Sequence, residues 1–110
     1  MYEVFVTEHA KKNLAALKKH GKQTLLQIRR VLAELAHDPY GQTSELHAPL
    51  HAYRSLHVGR FRAVVQIHEK QVRVYVVAVG WHESGSRDDI YQQLGRAILS
   101  GAIKIEAGGE

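Results

Sequence analysis

The stretch that most constrains this chain runs from Tyr53 to Val79. Phe61, Ala63, Val65 and Ile67 alternate with Arg62, Val64, Gln66 and His68, a period of two that fits a strand with two different faces. Gly59-Arg60 separates this run from Tyr53 to Val58, and Glu69-Lys70 separates it from Gln71 to Val79. Three strands in an antiparallel meander are the expectation. Leu56 and Val58 set the core side of the first strand, which puts Tyr53, Ser55 and His57 on the opposite side, together with Arg62 if the hairpin pairs in register. By the same parity Arg54 lies on the core side, where it needs an open edge or an acidic partner. The third strand is apolar on both faces, Val72, Val74, Val76 and Ala78 against Tyr75, Val77 and Val79, as in a central strand covered on both sides.

The remaining segments supply that cover. Tyr2 to Val6 carries aromatic and β-branched residues and reads as a short strand. Thr7 is placed to cap a helix running to about His20, with Glu8 in its first turn and a stripe of Ala10, Leu14 and Leu17. Lys11, Lys12, Lys18 and Lys19 crowd its outer side. Lys22 to Ala36 is a second helix, with Leu25, Ile28, Val31, Leu32 and Leu35 at helical spacing, and it stops at Asp38-Pro39-Tyr40-Gly41. The short Gly21 link pairs the two as an antiparallel helical hairpin. Gly41 to Ala52 reads as a loop. Trp81-His82-Glu83 follows the last strand, then a polar loop from Ser84 to Asp89, where Asp88 or Asp89 can cap a helix of about Ile90 to Ser100. Its stripe is Ile90, Leu94, Ala97 and Ile98, and Tyr91 lies beside it. The expected class is α+β: an N-terminal strand, a helical hairpin, a three-stranded meander giving a four-stranded sheet in all, and a short C-terminal helix. One domain over residues 1–101 and a mobile tail over 102–110 are expected.

Composition closes off several chemistries. The chain has no cysteine, which excludes disulfides, thiol catalysis and cysteine-bound zinc and suits a reducing cytoplasm. The apolar run in MYEVFVTEHAKK is too short for a signal peptide or a membrane span, so a cytoplasmic location is expected. His47 and His51 are four apart, but Pro49 between them argues against a regular helix and no third ligand is evident, so no metal or other cofactor is expected. The net charge of +4 and eight histidines favour a polyanionic or acidic partner.

Within the meander those residue types fit one reaction. Cleaving RNA without a metal needs a base for the ribose 2′-OH, a cation against the charge growing on the phosphate, and an acid for the leaving 5′-oxygen. Arg62 offers a planar fork for phosphate oxygens, His57 and His82 carry the imidazole suited to proton transfer, and Tyr91 can donate a hydrogen bond or stack on a base. Arg54 and Arg60 are further candidate RNA contacts. The structural alternatives are a surface arginine in a salt bridge for Arg62, a strand end beside Trp81 for His82, a packing role for Tyr91 and simple solvation for Arg60.

The residues LHAPLHAYRSLHVGRFRAVVQI are similar to the L-x-G-x-Y-R-x-L-R-V-G-x-Y-R-V hairpin of the RelE/ParE superfamily of type II toxins. VYVVAVGWHE resembles that family's strand ending in V-G-H-R, and DDIY stands before the last helix; the resemblance covers about residues 2 to 100. For RelE-like members it implies a small endoribonuclease that cuts mRNA in the ribosomal A site, leaving a 2′,3′-cyclic phosphate and a 5′-OH. Arg62 matches the arginine that holds the scissile phosphate, His82 falls where members carry arginine or a catalytic histidine, and Tyr91 matches a tyrosine that orients the nucleotide. The chain departs from the pattern at His57, usually arginine, and at Tyr53 and Ser55, which stand where the best-studied ribonucleases have lysines. That departure implies weaker electrostatic stabilisation, or histidines that take over proton transfer. The resemblance also implies a cognate antitoxin partner. It leaves a ParE-like, non-catalytic inhibitor of DNA gyrase, and an inactive antitoxin-binding relic, as alternatives.

Overall fold

The computed structural model describes residues 1–48, 50–83 and 89–101, so Pro49, the loop at 84–88 and the tail at 102–110 lie outside it. Its centre is the meander, in which β3 (Arg54–Val58), β4 (Phe61–His68) and β5 (Arg73–Trp81) pair antiparallel. Gly59 takes φ 59°, the positive value that the first position of a two-residue hairpin turn requires and that side chains resist. β1 (Glu3–Val6) adds to β5 in parallel, with Val4 beside Val74 and Val6 beside Val76.

A further strand corrects the expected count of four. β2 (Ser44–Glu45) pairs antiparallel with β3, Ser44 opposite Ser55 and Glu45 opposite Arg54, so the sheet has five strands in the order β1-β5-β4-β3-β2. It lies inside the segment that reads as a loop, because two polar residues carry no alternation. A short helix, α3 (Pro39–Gln42), delivers the chain to that edge: Asp38 caps it by accepting from the Gly41 N–H at 3.0 Å, and the Thr43 hydroxyl donates to the Pro39 carbonyl.

Unbroken parity also fails along β5. Val64 pairs with Ala78 and Val65 with Val76, which leaves Val77 as a bulge. Past it the faces exchange: Val79 joins Val74 and Val76 in one core cluster, while Val77 and Ala78 belong to the other. Simple alternation puts Ala78 with Val74 and Val76, and Val79 with Val77, so these two residues trade faces. Val72 is a second departure, for it sits in the turn before β5 at φ 53° and is 44% exposed instead of pointing into the core.

Two apolar layers cover the sheet. On one face, α1 (Glu8–Ala16), the 3₁₀ turn Leu17–His20 and α2 (Lys22–Glu34) bring Ala10, Leu14, Leu17, Ile28, Leu32 and Leu35 onto Leu56, Val58, Phe61, Ala63, Val65, Val74, Val76 and Val79. On the other, α4 (Ile90–Leu99) lays Ile90 and Leu94 against Tyr53, Val64, Val77 and Ala78. Full burial of side chains such as these stabilises by about 1.5–3 kcal/mol each. Where β1 ends at Val6, α1 takes over the open side of β5. Thr7 caps α1 by accepting from the Ala10 N–H while its hydroxyl lies 3.0 Å from the Val76 carbonyl, and the Asn13 side chain accepts from the Val79 N–H at 3.0 Å. Among the described residues no helix is long and apolar enough to cross a membrane.

Candidate active site

The register of β3 and β4 sets His57 directly opposite Arg62, and Arg62 in turn lies opposite Gly80 of β5. The expectation that His57 and Arg62 share a face follows from this pairing. Gly80 has a structural reason to lack a side chain, since a Cβ there would stand 3.0 Å from Cδ1 of Ile90. The start of α4 can therefore lie close over the end of β5, beside Arg62.

His82 continues β5 past Trp81, and its N–H donates to the Arg60 carbonyl at 3.1 Å. Its imidazole Nδ1 is 2.6 Å from Oδ1 of Asp89, the residue that caps α4. The Asp89 side chain is 5% exposed and that of His82 32%. The same carboxylate also accepts from the Glu83 N–H at 2.7 Å and from the Tyr91 N–H at 2.9 Å. One buried aspartate thus joins the end of β5, the imidazole and the first turn of α4. The Tyr91 ring packs edge-on against His82, centroids 5.0 Å apart, and its hydroxyl meets the Ser55 hydroxyl of β3 at 2.6 Å.

His57, Arg62, His82 and Tyr91 therefore gather at one end of the sheet, on the side that α4 covers. Arg62 donates from Nη1 to the Gly59 and Phe61 carbonyls at 2.9 Å, which folds the guanidinium over the hairpin turn; among the described residues Nε and Nη2 remain as donors. Among the described residues it has no carboxylate partner. His57 is exposed.

The other two candidates stand apart. Arg54 lies at the β2 edge, where Nε donates to the Thr43 hydroxyl at 2.7 Å, Nη2 to the Thr43 carbonyl at 3.1 Å, and Nη1 lies 3.7 Å from Glu45. It has the edge and the acidic partner that its parity demands. Arg60 is exposed in the turn with its guanidinium over Trp81, on the side of the sheet that the helical hairpin covers. Ser55 and Asp89 are absent from the candidates drawn from sequence. Ser55 shares His57's parity, and Asp89 is legible as a cap, but neither signal says which side chain it meets. Among the described residues no three His, Asp or Glu side chains gather to hold a metal ion.

Solved structures share this architecture. The toxin–antitoxin complex RelBE2 of Mycobacterium tuberculosis matches with a TM-score of 0.67 at 21% identity, over 74% of this chain and 98% of that one. The isolated RelE toxin of E. coli matches at 0.62 and 22% identity, over 90% of this chain and all of its own (100%). A YoeB/ParE toxin from Agrobacterium tumefaciens matches at 0.62 and 14% identity, over 74% and 99%. No curated protein matches by sequence. The likenesses define the fold as that of the RelE-type toxins. Residues 4–84 match the family of ParE toxins of the type II toxin–antitoxin system parDE, and the chain belongs to that family. It is a type II toxin of the RelE/ParE superfamily.

Proposed function

We propose that this toxin is a metal-independent, ribosome-dependent endoribonuclease that cleaves mRNA by attack of a ribose 2′-OH on the adjacent phosphate. The observation that carries the reading is a histidine held by a buried aspartate, His82 on Asp89, at the same end of the sheet as Arg62 and His57. One imidazole takes the 2′-OH proton as the 2′-oxygen–phosphorus bond forms. The other gives a proton to the 5′-oxygen as its bond to phosphorus breaks, leaving a 2′,3′-cyclic phosphate and a 5′-OH. Arg62 offers Nε and Nη2 to the phosphate oxygens as their charge grows. Tyr91, fixed by Ser55, positions the nucleotide, and the exposed Arg60 is available to the RNA backbone.

A cognate antitoxin belongs to the same reading, as a partner of M. tuberculosis RelBE2 and E. coli RelBE is named in their complexes. A groove of about 400 Å³ between β1 and the helices, lined by Val4, Val6, Leu14 and Leu32 with Lys11 and Arg29 at hand, suits an apolar segment flanked by acidic residues.

The family match favours a second reading, a ParE-like inhibitor that binds DNA gyrase without catalysis. An mRNA cleavage assay with translating ribosomes, run beside a gyrase supercoiling assay, separates the two. The ribonuclease reading expects mRNA cut and supercoiling untouched, with cleavage lost in Arg62→Ala and His82→Ala. Intact mRNA with supercoiling inhibited establishes the second reading in its place.

A further inference from the structure

Asp89 makes more contacts than a helix cap needs. A capping aspartate accepts from one or two N–H groups of the first helical turn, which here is the Tyr91 N–H at 2.9 Å. Asp89 accepts in addition from the Glu83 N–H and meets the His82 imidazole at 2.6 Å, while its own side chain is 5% exposed. Caps ordinarily face water; this one is enclosed by the strand end that carries the imidazole.

Resting on the ribonuclease reading, we infer that Asp89 is a positioning residue which fixes His82 in one tautomer and one orientation for proton transfer. A carboxylate only accepts hydrogen bonds, so Nδ1 carries the proton and donates it to Oδ1. The lone pair is then on Nε2, at the opposite edge of a ring whose side chain is 32% exposed. That nitrogen is the one able to take the 2′-OH proton, and the imidazolium so formed is stabilised by the carboxylate behind it. The edge-on Tyr91 ring, 5.0 Å away, restricts the imidazole from a third side. Because Asp89 also starts α4, the two side chains nearest the reaction are placed by a single carboxylate.

The test keeps the cap and removes the acceptor. Asn caps helices as well as Asp does, so Asp89→Asn keeps the start of α4, but its amide can present N–H to Nδ1 and select the other tautomer. The expected result is a fall in kcat of at least about tenfold, with KM within about twofold of wild type. In a His82→Ala background the same substitution is expected to cause no further loss. Nitrogen-15 spectra of the imidazole are expected to report Nδ1–H in the wild type and a change in Asp89→Asn. Cleavage by Asp89→Asn at the wild-type rate, an added loss in the His82→Ala background, or an Nε2–H tautomer in the wild type overturns the inference. If wild-type toxin cuts no mRNA, the ribonuclease reading falls, and the spectra still decide whether Asp89 holds His82.

Discussion

The hydroxyl pair of Ser55 and Tyr91 gives the sharpest test of how α4 is tied to the sheet. Their oxygens are 2.6 Å apart across 36 residues of sequence. Ser55 is 4% exposed, whereas Tyr91 is half-buried. A hydrogen bond between neutral partners contributes about 0.5–1.5 kcal/mol net, but leaving one partner buried without the other costs about 1–3 kcal/mol. The two deletions are therefore unequal. Tyr91→Phe strands the buried Ser55 hydroxyl and is expected to cost about 2 kcal/mol, while Ser55→Ala leaves a phenol nearer to water and is expected to cost about 1 kcal/mol. The double variant is expected to cost about 1 kcal/mol less than the sum, because it removes both polar groups together. Urea unfolding of the four proteins measures this, with the slope m unchanged so that midpoints report stability. Costs that add within about 0.3 kcal/mol, or a greater loss in Ser55→Ala than in Tyr91→Phe, refute the reasoning.

Three further perturbations follow from single features. Val72 holds φ 53°, a conformation that costs a β-branched residue about 1–2 kcal/mol, and it is exposed. Val72→Asn is expected to raise stability by about 1 kcal/mol, and a lower melting temperature contradicts the strain argument. Leu94 is fully buried between α4 and the sheet, so Leu94→Ala is expected to cost about 2–5 kcal/mol in urea unfolding; a loss under about 1 kcal/mol means that α4 is not part of the cooperative fold. Burial, helped by Lys12, holds the His9 imidazole below its ordinary value of 6.5. As pH falls through 6.5 the unfolded chain takes up a proton that the fold resists, so the stability linked to His9 is full above that pH and is lost below it. Melting curves at pH 7.5 and 5.5 are expected to differ less in His9→Gln than in wild type, and an equal or larger difference contradicts this.

The sheet was legible where its signals are local. β4 spans the alternating run from Phe61 to His68, and the Thr7 cap and the apolar stripes of both N-terminal helices lie where spacing puts them. What stayed hidden depends on contacts far apart in the chain. β2 has only two residues, and its pairing rests on an edge that Arg54 completes through Thr43 and Glu45. The bulge at Val77 has no mark in a run of valines, although it decides that Gly80 and not Trp81 faces α4. The gathering of His57, Arg62, His82 and Tyr91 at one end followed from parity and the family resemblance together. The side chains that hold two of them, Asp89 and Ser55, became visible only once α4 lay across the sheet.

The proposed activity is RNA cleavage by a histidine and an arginine at the end of the sheet. Sequencing the ends of mRNA recovered from a ribosomal translation reaction tests it most directly, for wild type and for Arg62→Ala. New 5′-OH ends and 2′,3′-cyclic phosphates within coding sequence are expected, lost with Arg62→Ala, in a variant that still melts like the wild type. Translation or growth arrested by the wild type with every message intact contradicts it.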